Sequence, residues 1–157
     1  EEFDLKDKTI NDVKKALEDK DIVFVNGGNT FYLLHWVRER GFDTALKPFL
    51  NNGGVYVGVS AGTILASPTI ETAGWEYAAD NNNVNIKNLT SLNLVPLHFV
   101  VHFEEKWRAS VLSEVKKVTF PIVALTDTQA LIIRGKVVRI VGTGKKEYWN
   151  GFEELIT

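Results

Sequence analysis

Apolar and polar positions along this chain change period several times, and each change marks an element. Between Thr9 and Lys20, the residues Ile10, Val13, Ala16 and Leu17 recur at helical spacing. Thr9, with Asp12 three residues on, predicts a reciprocal cap at the start of that helix. "DIVFV" (Asp21 to Val25) is a continuous apolar run, the pattern of a short strand buried on both faces of a parallel sheet. Asn26-Gly27-Gly28-Asn29 predicts a tight turn. Thr30 then opens a helix to Arg40, carried by Phe31, Leu33, Leu34, Trp36 and Val37 and stopped at Gly41. A second helix, Asp43 to Asn51, leads through Gly53-Gly54 into the β-formers Val55, Tyr56, Val57 and Val59.

Periodicity then lapses. Pro68 to Ser91 is rich in turn residues, including "DNNNVN" from Asp80 to Asn85, and a loop of that length in a compact domain points to function or mobility. "LVPLHFVVHF" (Leu94 to Phe103) predicts a strand, Glu104 to Lys117 a helix, and "PIVALTD" (Pro121 to Asp127) a further buried strand. "ALIIRGKVVRIVG" (Ala130 to Gly142) predicts a hairpin turning at Gly135. Strands alternating with helices predict an α/β domain whose mainly parallel sheet is flanked by helices and followed by a C-terminal β-hairpin. Residues 1–157 are expected to form that single domain. Sites in such sheets lie at the C-terminal ends of the strands. Asn26 to Asn29, Ser60, His102 and Asp127 all fall at such ends.

Gly58, Ser60 and Gly62 form a G-x-S-x-G between a strand and an alanine-rich helical run. A turn that sharp strains the apex residue and lifts its side chain clear of the sheet, which is how a nucleophile is presented. A serine that merely caps a helix fits the same five residues. A serine hydroxyl needs a base, and the base needs an orienting group. His35 lies in a helix of core residues. His98 and His102 lie four apart on one predicted strand, so they are expected on one face, with His102 at the rim and His98 packed deeper. A metal pair of those two histidines lacks a third ligand. Asp127 suits the orienting role and equally suits a turn. Gly27-Gly28 suits an oxyanion hole shared with the Ala61 N–H, or a plain turn.

Composition changes the picture only at its edges. The 157 residues are 45% apolar with a formal charge of -2, an ordinary globule without the electrostatic footprint of a nucleic-acid binder. No apolar run is long enough to span a bilayer and no signal peptide is visible, so a cytoplasmic location is expected. The lack of cysteine removes thiolate nucleophiles, thiolate metal sites and disulfides. The chain also lacks methionine, and an N-terminus made by a cut, or preceded by further sequence, is expected.

"NGGNTFYLL" (Asn26 to Leu34), "VYVGVSAGTILASPTI" (Val55 to Ile70) and "LNLVPLHFVVHF" (Leu92 to Phe103) together resemble the peptidase E family of serine exopeptidases, peptidase family S51. That family includes cyanophycinase and is similar in fold to class I glutamine amidotransferases. The resemblance runs from about Asp21 to Gly142. It implies Ser60 as nucleophile, His102 as base, Asp127 as the acidic third member, and Gly28 and Ala61 as oxyanion-hole donors. It also implies removal of N-terminal aspartate from short peptides, chiefly dipeptides, without metal or cofactor. Two positions depart from the family pattern. Val101 stands where the family has proline, and Trp75 aligns with a loop aspartate needed for activity. Glu76, or Asp80 after a shift, is then the candidate for the substrate's α-amino group, and Asn29 is a further substrate-binding candidate. Lys106 and Arg108 are the candidate cations for an aspartyl side chain. Two other readings are a relative with cyanophycinase-like amide specificity and an inactive peptide-binding or small-molecule-binding homologue. The resemblance further implies roughly one more βαβ unit before Glu1. Ile22 to Val25 is therefore expected to be covered by a separate N-terminal fragment or a second copy of the chain.

Overall fold

A computed structural model of the chain describes residues 1–78 and 80–152; Ala79, in the long loop, and the last five positions of the expected 1–157 domain lie outside the described residues. The elements form an α/β fold. Helix α1 (Ile10–Leu17) begins as its sequence predicts: the Asp12 N–H donates to the Thr9 hydroxyl at 3.2 Å, and the Thr9 N–H to the Asp12 carboxylate at 2.8 Å. It ends earlier than expected, before the left-handed Asp19 (φ 56°). Strand β1 (Ile22–Val25) is joined through α2 (Thr30–Glu39) and α3 (Phe42–Asn51) to β2 (Val55–Gly58), which pairs with it in parallel, Ile22 opposite Val55 and Val25 opposite Gly58. Leu34, Val37 and Leu46 pack the helices into the main core.

Here one expectation fails. Strand β1 is buried on one face only: Val25 is in the core, while Ile22 is 59% and Phe24 60% exposed, beside Val55 at 51%. A continuous apolar run cannot say whether both faces are covered, and Ile22 and Phe24 stand outside both hydrophobic cores.

After β2 comes the short helix α4 (Ala61–Leu65) and then the long loop. The loop is tied down rather than free. Ser91 N–H donates to Pro68 O at 2.8 Å, Leu92 N–H to Leu65 O at 3.1 Å, and the Arg38 guanidinium donates to the carbonyls of Asn88 and Thr90. The predicted Leu94–Phe103 strand contracts to β3 (His98–Val100), and the following helix splits into a 3-10 turn, Glu105–Trp107, and α5 (Arg108–Val115). β3 pairs in parallel with β4 (Ile122–Ala124), and every residue of both is buried. Val111 and Val115 of α5 close a second core against Trp75, Val100, Phe103 and Ile122. β5 (Gln129–Arg134) and β6 (Val137–Gly142) pair antiparallel around Gly135. β7 (Glu147–Trp149), too short for a periodic signal, pairs antiparallel with β4.

Candidate active site

Ser60 owes its position to the backbone on either side. The Val59 N–H still bonds Val25 O at 3.0 Å, and then Ser60 turns to φ 56°, ψ −116°, before α4 begins. A non-glycine residue held there costs on the order of 1–3 kcal/mol, so surrounding contacts must impose it. They do. A β-carbon on Gly58 would strike the Gly62 carbonyl, and one on Gly62 would strike the Val25 carbonyl. This close stacking is locked by the Tyr56 hydroxyl donating to Gly62 O at 2.6 Å and the Thr63 hydroxyl donating to Gly58 O at 2.8 Å.

His102 is raised by a different device. Leu125 N–H donates to Val100 O at 2.8 Å, but the return bond to Leu125 O comes from Phe103 N–H, at 3.0 Å. A regular parallel ladder would take it from residue 102, so Val101–His102 contains one extra residue. That bulge, with His102 at φ 54°, re-aims the imidazole out of the sheet. It also separates the two histidines expected on one face. His98 points into the core at 4% exposure, stacked on Phe120 at 3.7 Å, with its Nε2 3.1 Å from the Thr69 hydroxyl oxygen. Burial pushes its pKa down from 6.5 to about 4. His35 packs edge-on against Trp36, with ring centroids 5.0 Å apart.

Asp127 follows β4 in a turn organised by Gln129, a residue without any sequence signal for this role. Gln129 accepts the Thr126 N–H at 3.2 Å and donates to the carbonyls of Thr143 and Lys145, each at 3.0 Å. The result is a continuous line: Ser60 Oγ lies 2.9 Å from His102 Nε2, and His102 Nδ1 lies 2.6 Å from Asp127 Oδ1. Its members come from three separate strand ends. The line is open to solvent, the imidazole being 58% and the carboxylate 77% exposed.

The glycine pair lies over the serine. An added β-carbon on Gly27 would sit 3.0 Å from Ser60 Cβ and 3.3 Å from its Oγ. The Gly27 N–H is taken by the Asn26 side chain at 2.9 Å. Among the described residues the N–H groups of Gly28 and Ala61 have no acceptor. Gly28 holds φ 133°, a conformation that only glycine adopts freely.

The other candidate residues already have partners within the protein. The Asn29 carboxamide caps α2, accepting the Tyr32 N–H at 2.9 Å and donating to Asn81 O at 2.9 Å. Asp80 accepts the Thr30 N–H at 2.8 Å. Glu76 accepts the Ser110 hydroxyl at 3.2 Å, and Trp75 is buried in the second core. Lys106 pairs with Glu104 at 2.8 Å. Arg108 forks between Glu105 at 2.5 Å and Glu147 at 2.8 Å, and its hydrogen bonds hold both carboxyls below the usual carboxylate range. Among the described residues no cluster of three or more His, Asp or Glu could hold a metal, and no helix is long and apolar enough to cross a membrane.

Comparison with known proteins identifies the family. The model of peptidase family S51 matches residues 1–141. An uncharacterized peptidase of Listeria monocytogenes is 29% identical over 146 residues, which cover 88% of this chain and 68% of that one. Peptidase E of Escherichia coli is 40% identical over 95 residues, 60% of this chain but only 39% of that protein. A crystal structure of a protein of the Peptidase E kind from Listeria monocytogenes superposes with a TM-score of 0.80 at 28% identity, covering 92% of this chain and 70% of that one. A peptidase from an acI-B1 actinobacterium, at 14% identity and a TM-score of 0.67 over 90% of this chain and 62% of that one, shares the fold. The chain therefore belongs to peptidase family S51 and is a serine peptidase by that membership.

Proposed function

We propose that this chain is the catalytic domain of a serine exopeptidase acting on short peptides, dipeptides with N-terminal aspartate among them, on a class I glutamine amidotransferase-like scaffold. The observation that carries the reading is the Ser60–His102–Asp127 hydrogen-bonded line. In the first half-reaction His102 Nε2 takes the Ser60 proton as Oγ bonds to the scissile carbonyl carbon. Asp127 holds the tautomer that leaves Nε2 free to accept, and it stabilises the imidazolium. The carbonyl oxygen becomes an oxyanion facing the unpaired N–H groups of Gly28 and Ala61. Collapse breaks the C–N bond, and His102 returns its proton to the departing amine. Water then repeats the sequence on the acyl-serine, with His102 as base, releasing the acid and restoring Ser60.

A second reading, an amide hydrolase of other specificity, is favoured by the ion pairs of Lys106 and Arg108. An incoming aspartyl carboxylate would have to share Lys106 with Glu104, or Arg108 with Glu105 and Glu147. A fluorophosphonate probe tests the chemistry, since it labels only an activated serine. A panel of Asp-, Glu- and Ala-initiated dipeptides then tests the specificity. No labelling of Ser60 would sink both readings and leave a binding homologue. Labelling with faster turnover of the Ala-initiated dipeptide would select the second.

A further inference from the structure

The loop segment after the elbow helix touches several parts of the site at once. Trp75 is packed with Val100 and Phe103, on either side of the bulge that carries His102. Glu76 reaches Ser110 on the helix beyond. Farther along, Asp80 and Asn81 hold two consecutive residues at the start of α2: the Thr30 N–H donates to Asp80 Oδ2 at 2.8 Å, and the Asn29 carboxamide donates to Asn81 O at 2.9 Å.

Those two bonds fall directly after Gly28. The first N–H groups of a helix have no partner inside it. Asn29 uses its own side chain on Tyr32, so among the described residues the Thr30 donor is satisfied only by a carboxylate fifty positions away in sequence. Thr30 is 1% exposed, leaving no water to substitute. The space beside Gly28 is open: a β-carbon there would meet no atom within 4 Å, and φ 133° lies where glycine moves freely. Its N–H lies on the peptide plane shared with Gly27, whose own N–H is held by the Asn26 side chain, and the anchored pair Asn29–Thr30 fixes the turn from the other side.

We infer that Asp80 is a positioning residue for the oxyanion hole: by fixing the Thr30 N–H it aims the Gly28 N–H at the position of the developing oxyanion. This rests on the serine-peptidase reading above, and it differs from a role for Asp80 in binding the substrate's α-amino group. The geometry favours it, because the carboxylate is already partnered by a buried backbone donor. Outright loss of an oxyanion donor costs about 10²–10³ in kcat. Misdirecting one donor should cost less, roughly ten- to hundredfold.

The test uses an ester without an amino group, p-nitrophenyl acetate, beside a dipeptide substrate. Asp80→Ala should lower kcat on the ester roughly ten- to hundredfold, with KM changed less than about threefold. Asp80→Asn keeps an oxygen that can accept the Thr30 N–H, so it should recover to within about fivefold of wild type. If Asp80→Ala fails to fold, Thr30→Pro takes its place. Proline is accepted at the first helical position and removes the same N–H, and the extended Asn29 (φ −74°, ψ 122°) suits a residue before proline. The same loss on the ester is expected. Wild-type ester turnover by Asp80→Ala, with dipeptide turnover lost, would overturn the inference in favour of amine binding. Equal damage from Asp80→Asn and Asp80→Ala on the ester would overturn it in favour of a charge effect. Fluorophosphonate labelling of wild-type Ser60 separates these results from failure of the underlying reading: without labelling, both fall together.

Discussion

Gly27→Ala is a small change aimed at Ser60, the proposed nucleophile. The new methyl carbon would sit 3.0 Å from Ser60 Cβ and 3.3 Å from Oγ, against about 3.5–4.0 Å for a relaxed carbon pair. Ser60 has little room to yield. Its backbone is pinned between the Val59–Val25 bond at 3.0 Å and the Thr63 N–H on its own carbonyl at 2.9 Å. Swinging the hydroxyl off its rotamer, at about 0.5–1.5 kcal/mol, relieves the Oγ contact but not the one to Cβ, and it lengthens the 2.9 Å bond to His102. Alternatively the glycine turn retreats by a few tenths of an ångström and carries the Gly28 N–H with it. Either path should cost the acylation transition state about 1.4–2.7 kcal/mol, roughly ten- to hundredfold in rate. The second-order rate of fluorophosphonate labelling reads this directly, and a thermal melt shows whether the fold survives. Gly74→Ala is the comparison, since its β-carbon would meet only Phe31 Cζ at 3.6 Å, an ordinary contact. Labelling of Gly27→Ala at the wild-type rate would refute the claim that this turn presses on the nucleophile.

Ser60→Ala and His102→Ala should each abolish peptide turnover with the melt unchanged, while Asp127→Asn slows it by disturbing the tautomer and His98→Ala costs far less; an essential His98 with a dispensable His102 would reverse the assignment of the base. His98 makes stability depend on pH. Its folded pKa, about 4, lies below the ordinary 6.5, so the unfolded chain takes up a proton first as pH falls. The associated stability, on the order of 3 kcal/mol, is present above pH 6.5 and lost progressively down to about pH 4. Chemical denaturation of His98→Asn across that window should show a flatter slope than wild type, and an identical slope would clear His98. Arg108→Met should lower the melting temperature by leaving the buried Glu147 with Lys145 alone, and leave any preference for N-terminal aspartate unchanged; a lost preference would return Arg108 to the substrate.

The parts of the site legible in the sequence are those whose cause is local. The Thr9–Asp12 cap, the strand into Gly58-Val59-Ser60, and the turn at Gly27-Gly28 each depend on residues within a few positions of one another. What the sequence could not show depends on a partner far along the chain. The bulge that lifts His102 exists because Leu125 bonds to Val100 and Phe103. Alternation along "LHFVVHF" therefore misplaced His98 and His102 on one face. Asp80 reads as a turn former within "DNNNVN" until Thr30 is seen against it. Lys106 and Arg108 read as available cations until Glu104, Glu105 and Glu147 are found on them. Burial fails for the same reason: the apolar run of β1 records affinity for a covering layer, and the structure alone shows which face has one.

Two of the three aligned residues, Ser60 and His102, hold left-handed backbone angles that their side chains disfavour. Such angles persist only where the surroundings leave no alternative. For Ser60 the constraint is packing, with glycines on either side letting β2, α4 and β1 approach within touching distance. For His102 it is ladder arithmetic, one residue too many between two fixed hydrogen bonds. The two devices are independent, and they meet only across the 2.9 Å bond between Oγ and Nε2. The exposed side chains of His102 and Asp127 contribute little packing, so the geometry of the line is carried by backbone constraints beneath it rather than by contacts around it. On that arrangement, glycines and a tyrosine hydroxyl outside the aligned side chains should bear on the chemistry as well. Removing a reacting group deletes a step, whereas releasing a backbone constraint leaves all three groups present and out of line.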